Sequence, residues 1–432
     1  MKESILHYVW QYKLFPPHNL KTTDNEPVEV IDVGQYNTDA GPDFFNAKVK
    51  IDGTLWAGNV EIHQFSSDWN KHNHNRNKAY DSVILHVVGK ADADVFRENG
   101  KKIPQTELAV PEYIERNYEN LFREKKRIAC EDKLNTIPGI FIENWKNALL
   151  TERLKQKTQA IEHLLQANNQ HWEESFYTVL ARNFGFGTNS QAFEELAKSL
   201  PLTILGKHKN DLFQLEALLF GQAGLLPEKA IDDYTKKLSK EYAFLASKYS
   251  LEKKLDVSRW KLLRLRPVNF PHVRIAQFAA LIHSSSKLFS KMLDNVEIQG
   301  LRDLFTCEPS DYWQTHYTFS EETSRKSSKK LGKQAVDVIL INTAVPFLFA
   351  YASEKGNQEL KDQSVQLLEQ IPSEKNALIA SWKAIGIACN SAYDSQALLH
   401  LRKNYCDEKK CIHCRIGHKV LTQPQAPKGE SC

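Results

Sequence analysis

The stretch Gly41-Pro42-Asp43-Phe44-Phe45-Asn46-Ala47-Lys48-Val49-Lys50-Ile51-Asp52-Gly53-Thr54-Leu55-Trp56-Ala57-Gly58-Asn59-Val60-Glu61-Ile62-His63 reads as two strands joined by a tight turn. Asp-Gly between two runs of β-formers is a strong hairpin signal, because both turn residues must tolerate positive φ. Residues 44–51 and 54–63 are the two strands, and residues 28–33 and 82–88, rich in Val and Ile, supply one strand before and one after.

Around this hairpin the pattern is mixed. Residues 3–14 place Ile5, Tyr8, Val9 and Tyr12 at helical spacing, and Pro16-Pro17 ends that helix. The polar stretch 66–81 predicts a helix or a long loop, the Asn99-Gly100 turn predicts two more short strands, and residues 111–125 predict a helix with Pro at its start. From Phe141 the apolar period changes from two toward 3.6, through Trp145, Leu149, Leu150, Leu154, Ile161, Leu164 and Leu165. The expected fold is α+β: a small mixed β-sheet domain with flanking helices, then a large all-α region, then a Cys-rich C-terminal module. The expected boundaries are 1–128, 136–385 and 386–432.

A chain of 432 residues exceeds the size of one hydrophobic core, and 41% hydrophobic with 25% charged residues excludes general disorder. Lys2, Glu3, His7 and Gln11 interrupt any signal-peptide core, and residues 335–352, the most apolar stretch, carry Asp337 and Asn342 and read as a buried helix, not a membrane span. Seven Cys, three of them between Cys406 and Cys414, are unlike a distributed disulfide framework and fit a reducing cytoplasm. The net charge of +4 permits a polyanionic partner without requiring one.

Strand alternation puts Glu61 and His63 on one face, and the hairpin brings Asp43 toward the same end. Two carboxylates suffice in type and number for Mg²⁺ or Mn²⁺ held against a phosphate, with His63 as a base near neutral pH. Lys71 or Lys78 could take that role instead. The dense run of Asp68, His72 and His74, with His86 in the next strand, offers a competing assignment in which His63, His72 and His74 bind a transition metal. The plain alternative is a Gly-Pro-Asp turn and a solvent face.

At the other end, Cys406, Cys411 and Cys414 form C-x4-C-x2-C, a spacing that can grip one Zn²⁺ from a tight turn. The fourth ligand is expected from Cys389, with Cys432, His413 and His418 as alternatives. The same spacing also occurs in plant-type iron–sulfur proteins. Basic candidates for DNA or RNA phosphate are Arg264, Arg266 and Arg274, around a rigid Pro267 to Pro271 turn, and Lys326, Lys329 and Lys330 in the most positive run of the chain. Each group reads equally as helix caps or a solvated connector.

The placement of Pro42-Asp43 before one strand and Glu61-Ile62-His63 at the end of the next resembles the PD-(D/E)XK nuclease superfamily over about the first 90 residues, with its core order of helix, three strands, helix, strand. That resemblance implies a divalent-metal-dependent nuclease, with Asp43 and Glu61 as metal ligands. The triplet ends in His63 where that superfamily has the Lys that orients the attacking water. The alternative is a non-catalytic nucleic-acid-binding or scaffold protein that keeps the fold. Over its whole length the chain resembles a bacterial family of unknown function, through residues 41–44, residues 58–63 with Asp68-Trp69, residues 264–277 and residues 405–417.

Overall fold

The computed structural model describes residues 2–16, 20–123, 126–251, 254–285, 287–320 and 322–423. The chain divides into two compact units, Met1–Trp145 with Arg402–Cys432, and Lys146–Leu401. Cys406, Cys411 and Cys414 therefore belong to the same unit as the N-terminal sheet. Asn117 makes the reason visible: its side-chain amide donates to the carbonyls of Leu421 at 3.1 Å and Gln423 at 3.0 Å. Residues 386–401 go to the second unit, where Asp394 pairs with the buried Lys146 at 2.8 Å.

In the first unit α1 (Glu3–Gln11) precedes β1 (Val28–Asp32), β2 (Gln35–Tyr36), β3 (Phe44–Ile51) and β4 (Thr54–Phe65). A short α2 (Asp68–Lys71) and two 3₁₀ turns then lead into β5 (Val83–Lys90), followed by β6 (Gln105–Glu107) and α3 (Glu112–Arg123). The sheet order is β1-β3-β4-β5-β6, with β2 pairing on β3. The β1, β3 and β4 pairings are antiparallel, and β4 with β5 and β5 with β6 are parallel, so the sheet is mixed as expected.

The hairpin turn forms as its sequence requires. Asp52 at φ 45 and Gly53 at φ 80 both lie in the left-handed region, which matches the twist of the flanking strands. Asn46 at φ 57 marks a bulge, with the β3–β4 register shifting between Phe44 and Ala47. Buried residues on β3 alternate with exposed ones, whereas Val83 to Val88 of β5 are all buried, the pattern of a central parallel strand covered on both faces. Trp69, Tyr80, Val83, Val95 and Ile103 pack as one apolar cluster, and Ile5, Leu6, Tyr8, Val9 and Trp10 of α1 are buried too.

The two strands expected around Asn99-Gly100 reduce to a single bridge, Phe96 with Lys102. Val95 and Ile103 join the apolar cluster, whereas between them Arg97 and Lys102 make polar contacts, Arg97 donating to the Val83 carbonyl at 2.8 Å and Lys102 pairing with Asp24 at 2.9 Å and Asp94 at 3.1 Å. The 66–81 stretch is α2 plus the turns His74–Arg76 and Lys78–Tyr80.

α4 (Gly139–Ala167) contains the division between the units, and from it onward the chain is helical. One described stretch, Lys333–Glu354, is long and apolar enough to cross a membrane, and 78% of its apolar window is buried inside the protein. Its middle, Leu340–Ala344, widens into a π turn. Pro346 has no N–H to offer the carbonyl of Asn342, and the Asn183 amide supplies a donor at 3.1 Å while also reaching Thr343 Oγ1 at 2.7 Å.

Candidate metal centre

The site grows from the clasp between the ends of β3 and β4. Asn37 stabilises the loop before β3 by donating to the carbonyls of Asp39 and Pro42, both at 3.0 Å, and thereby presents Asp43. The Asp43 N–H donates to Glu61 Oε2 at 3.1 Å, and the Ile62 N–H donates to Asp43 Oδ2 at 2.9 Å. An extended aspartate spans about 5 Å from its nitrogen to its farther carboxylate oxygen, so the two carboxyl groups are no more than about 8 Å apart. The clasp brings Asp43 and Glu61 together at the ends of the two strands. The remaining neighbour of Asp43 is His7 of α1, whose Nε2 lies 3.3 Å from Oδ2.

Glu61 and His63 share one face of β4, as alternation predicts, and both are buried. Glu61 Oε1 lies 3.5 Å from His63 Nε2 and 3.3 Å from His74 Nε2. His63 Nε2 lies 3.1 Å from His72 Nδ1, and ligand nitrogens of His63, His72 and His74 all fall within 4.8 Å of one another. Bonds of about 2.1 Å to a tetrahedral ion imply about 3.4 Å between ligand atoms. The three short separations therefore have the length of tetrahedron edges.

His86 completes the group. Its Nε2 is 2.8 Å from His63 Nδ1, and it is fully buried beside Gln105, its register partner on β6. For His63 Nε2 to present a lone pair, Nδ1 must carry the proton, and His86 Nε2 stands where it can accept it.

The electrostatics follow from burial. Glu61 is pushed up to about 9, first by desolvation and then by the Asp43 charge. His63 is pushed down to about 2 by desolvation and then by His86, His74 and His72, and His86 down to about 3, chiefly by desolvation. For His7, burial works downward, but the hydrogen bond and charge of Asp43, with Glu3, raise it overall. Neutral imidazoles are the form that ligates metal, and a dication would supply the positive charge that this crowded carboxyl pair lacks.

The other expected residues divide. Lys71 pairs with Asp68 at 2.6 Å, and both Lys71 and Lys78 are exposed. His74, a member of the His63, His72 and His74 set that the sequence offered, also approaches Glu61; His7, which approaches Asp43, was not expected, and nothing in the spacing signalled it. Cys389 lies in the second unit, buried, with Asp394, Lys383, Lys146 and Ser373 around it. Cys130, in the first unit, interacts electrostatically with Cys406, Cys411 and Cys414. Cys432 lies outside the described residues.

Two of the basic candidates are interior residues. Arg274 is buried, donates to Gln277 Oε1 at 2.9 Å and Asn269 Oδ1 at 2.6 Å, and stands over the Phe186 ring. Lys329 is buried, with Nζ 4.1 Å from the Tyr317 ring centre and bonded to Ser327 and the Gln314 carbonyl. Both are interior residues whose charged groups face internal acceptors and a ring and are not presented at the surface to a phosphate backbone. Arg264, Arg266, Lys326 and Lys330 are exposed.

Sheet and cluster together define an α+β protein with an imidazole and carboxylate group at one end of a mixed sheet. The chain belongs to the family described as "Protein of unknown function (DUF2851)", which matches residues 3–377. It matches no curated protein and no solved structure. The matched span contains the whole of the His and carboxylate cluster and ends before Cys406.

Proposed function

We propose that the first unit is a divalent-metal-dependent phosphodiesterase acting on nucleic acid, with one ion held by Glu61, His63, His72 and His74. The observation that carries this reading is the set of tetrahedron-edge separations, 3.1, 3.3 and 3.5 Å, among His72, His63, Glu61 and His74. Three imidazoles favour Zn²⁺, Mn²⁺ or another transition ion over the Mg²⁺ that two carboxylates alone would suggest. His72 is the exposed member of the set, so its side is where water or a phosphate oxygen reaches the ion.

Asp43 plays a different part from the ligand role its motif suggests. Held by Ile62 and facing His7, it forms with His7 a carboxylate and imidazole pair beside the ion, suited to moving a proton to or from the attacking water. The order α1, β1, β2, β3, β4, α2, β5 supports the nuclease reading of substrate, since apart from the two-residue β2 it parallels helix, three strands, helix, strand. The exposed Arg264, Arg266, Lys326 and Lys330 are the residues available to a phosphate backbone.

The test is hydrolysis of single- and double-stranded DNA and RNA by the full chain with Mn²⁺, Zn²⁺, Co²⁺ or Mg²⁺. Glu61→Gln and His74→Ala are expected to lose more than the roughly 10- to 100-fold that outer partners of a metal cost, and Asp43→Asn to lose activity while still binding metal. No hydrolysis of any of the four substrates with any ion would leave the non-catalytic scaffold reading.

A further inference from the structure

The Cys-rich end carries an inference independent of the proposed nuclease site. The chain leaves Arg402–Cys406 as a π turn and reverses through Lys409 at φ 53, with Lys410 N–H donating to the Tyr405 carbonyl at 2.8 Å. It then enters the 3₁₀ turn Cys411–His413, closed by the Cys414 N–H on the Cys411 carbonyl at 3.2 Å, and starts the helix Arg415–Thr422. Gly417 is needed there: a Cβ on it would stand 2.0 Å from the Cys411 carbonyl oxygen, so only glycine lets the helix sit on the turn. The chain that carries C-x4-C-x2-C is thus folded back on itself.

The segment after α3 lies against that helix. Thr136 Oγ1 donates to Gln423 Oε1 at 3.0 Å, and Ala129, Asp132 and Lys133 line one cavity with Val420. Cys130 stands in this segment. The Cys130 thiol interacts electrostatically with those of Cys414 and Cys411, and the Cys406 thiol with those of Cys130, Cys414 and Cys411. The two imidazoles that could have completed the set are engaged elsewhere, His418 Nδ1 with the Tyr8 hydroxyl at 2.9 Å and His413 stacked on Tyr36 at 6.0 Å.

We propose that Cys130, Cys406, Cys411 and Cys414 bind one Zn²⁺ that staples the C-terminal turn to the segment following α3. Four thiolates make a closed structural zinc set, and binding releases the thiol protons to solvent. The staple also fixes Ile412 and His413, which with His7 and Tyr8 line a small cavity of about 60 Å³.

The full chain, purified without added metal, is alkylated with iodoacetamide before and after treatment with a strong chelator, and the modified cysteines are identified by mass spectrometry alongside zinc, iron and sulfide analysis. The expected result is joint protection of Cys130, Cys406, Cys411 and Cys414, lost together with one zinc per chain, while Cys389 reacts independently of the chelator. Co²⁺ replacement is expected to give a thiolate-to-cobalt charge-transfer band that Cys130→Ser weakens strongly and Cys389→Ser leaves unchanged. That band separates this ion from one bound by His63, His72 and His74, which has no sulfur ligand. Free alkylation of Cys130 in the zinc-loaded protein, a full-strength band in Cys130→Ser, or iron with acid-labile sulfide in place of zinc would overturn the proposal.

Discussion

His86 Nε2 lies 2.8 Å from His63 Nδ1, and this contact decides which nitrogen of His63 faces Glu61 and His72. An imidazole held at one nitrogen by a buried partner is turned and protonated in a single way, which is how outer partners tune a metal ligand. His86→Phe keeps the ring volume and removes the acceptor, so it is expected to weaken metal binding roughly 10- to 100-fold. Calorimetric titration with Mn²⁺ or Zn²⁺ checks this, with circular dichroism confirming an intact fold; unchanged affinity would remove His86 from the account.

Glu216 gives the second unit a pH-dependent stability. It is buried and accepts from Ser310 Oγ at 2.9 Å, Trp313 Nε1 at 3.1 Å and the Tyr234 hydroxyl, yet desolvation outweighs these donors and raises it from 4.5 to about 7. The folded chain therefore holds this proton to higher pH than the unfolded chain. Its contribution is fully present below pH 4.5 and is lost as pH rises through about 7, a change on the order of 3 kcal/mol. Denaturant midpoints measured from pH 4.5 to 8 are expected to fall more steeply in the native chain than in Glu216→Gln; parallel profiles would contradict the assignment.

Asn183 braces the π turn in Lys333–Glu354. Asn183→Ala removes the donor to the Asn342 carbonyl and Thr343 Oγ1, and it is expected to cost about 1–3 kcal/mol, because a proline at position 346 leaves that carbonyl no helical replacement. Thermal unfolding of the variant checks this, and a change within error would mean that water substitutes without loss.

The basic residues separate by experiment as they do by burial. Removing Arg264, Arg266, Lys326 or Lys330 is expected to weaken nucleic-acid binding uniformly across sequences, each lowering the salt slope by about one. Lys329→Ala is expected to lower stability instead, through loss of its packing on Tyr317. Fluorescence anisotropy at several salt concentrations distinguishes them, and equal slopes for all variants would count against a nucleic-acid interface in this unit.

Local chemistry made part of this molecule legible. Asp52-Gly53 specified its turn, alternation put Glu61 and His63 on one face, and the change of period at Phe141 marked where the helices begin. The rest depended on contacts between residues far apart in the chain. Cys130 has no Cys or His nearby in sequence to suggest a ligand set, and its segment meets the end of the Arg415–Thr422 helix through Thr136 and Gln423. Lys329 sits in a run of cations that reads as solvated, and the Tyr317 ring that receives it lies outside the run. His7 reaches Asp43 because α1 lies beside the sheet, a placement that amphipathicity predicts as burial but not as a pairing of two particular residues.

The central claim is the position of one ion, and crystals of the full chain soaked in Mn²⁺ or Co²⁺ test it through anomalous scattering. The account predicts a peak bonded at about 2.0–2.2 Å to Glu61 Oε1, His63 Nε2 and His74 Nε2, with His72 Nδ1 completing or sharing the shell. A soak that gives no peak at the end of β4, or one bonded to Asp43 without any of the three imidazoles, would contradict it.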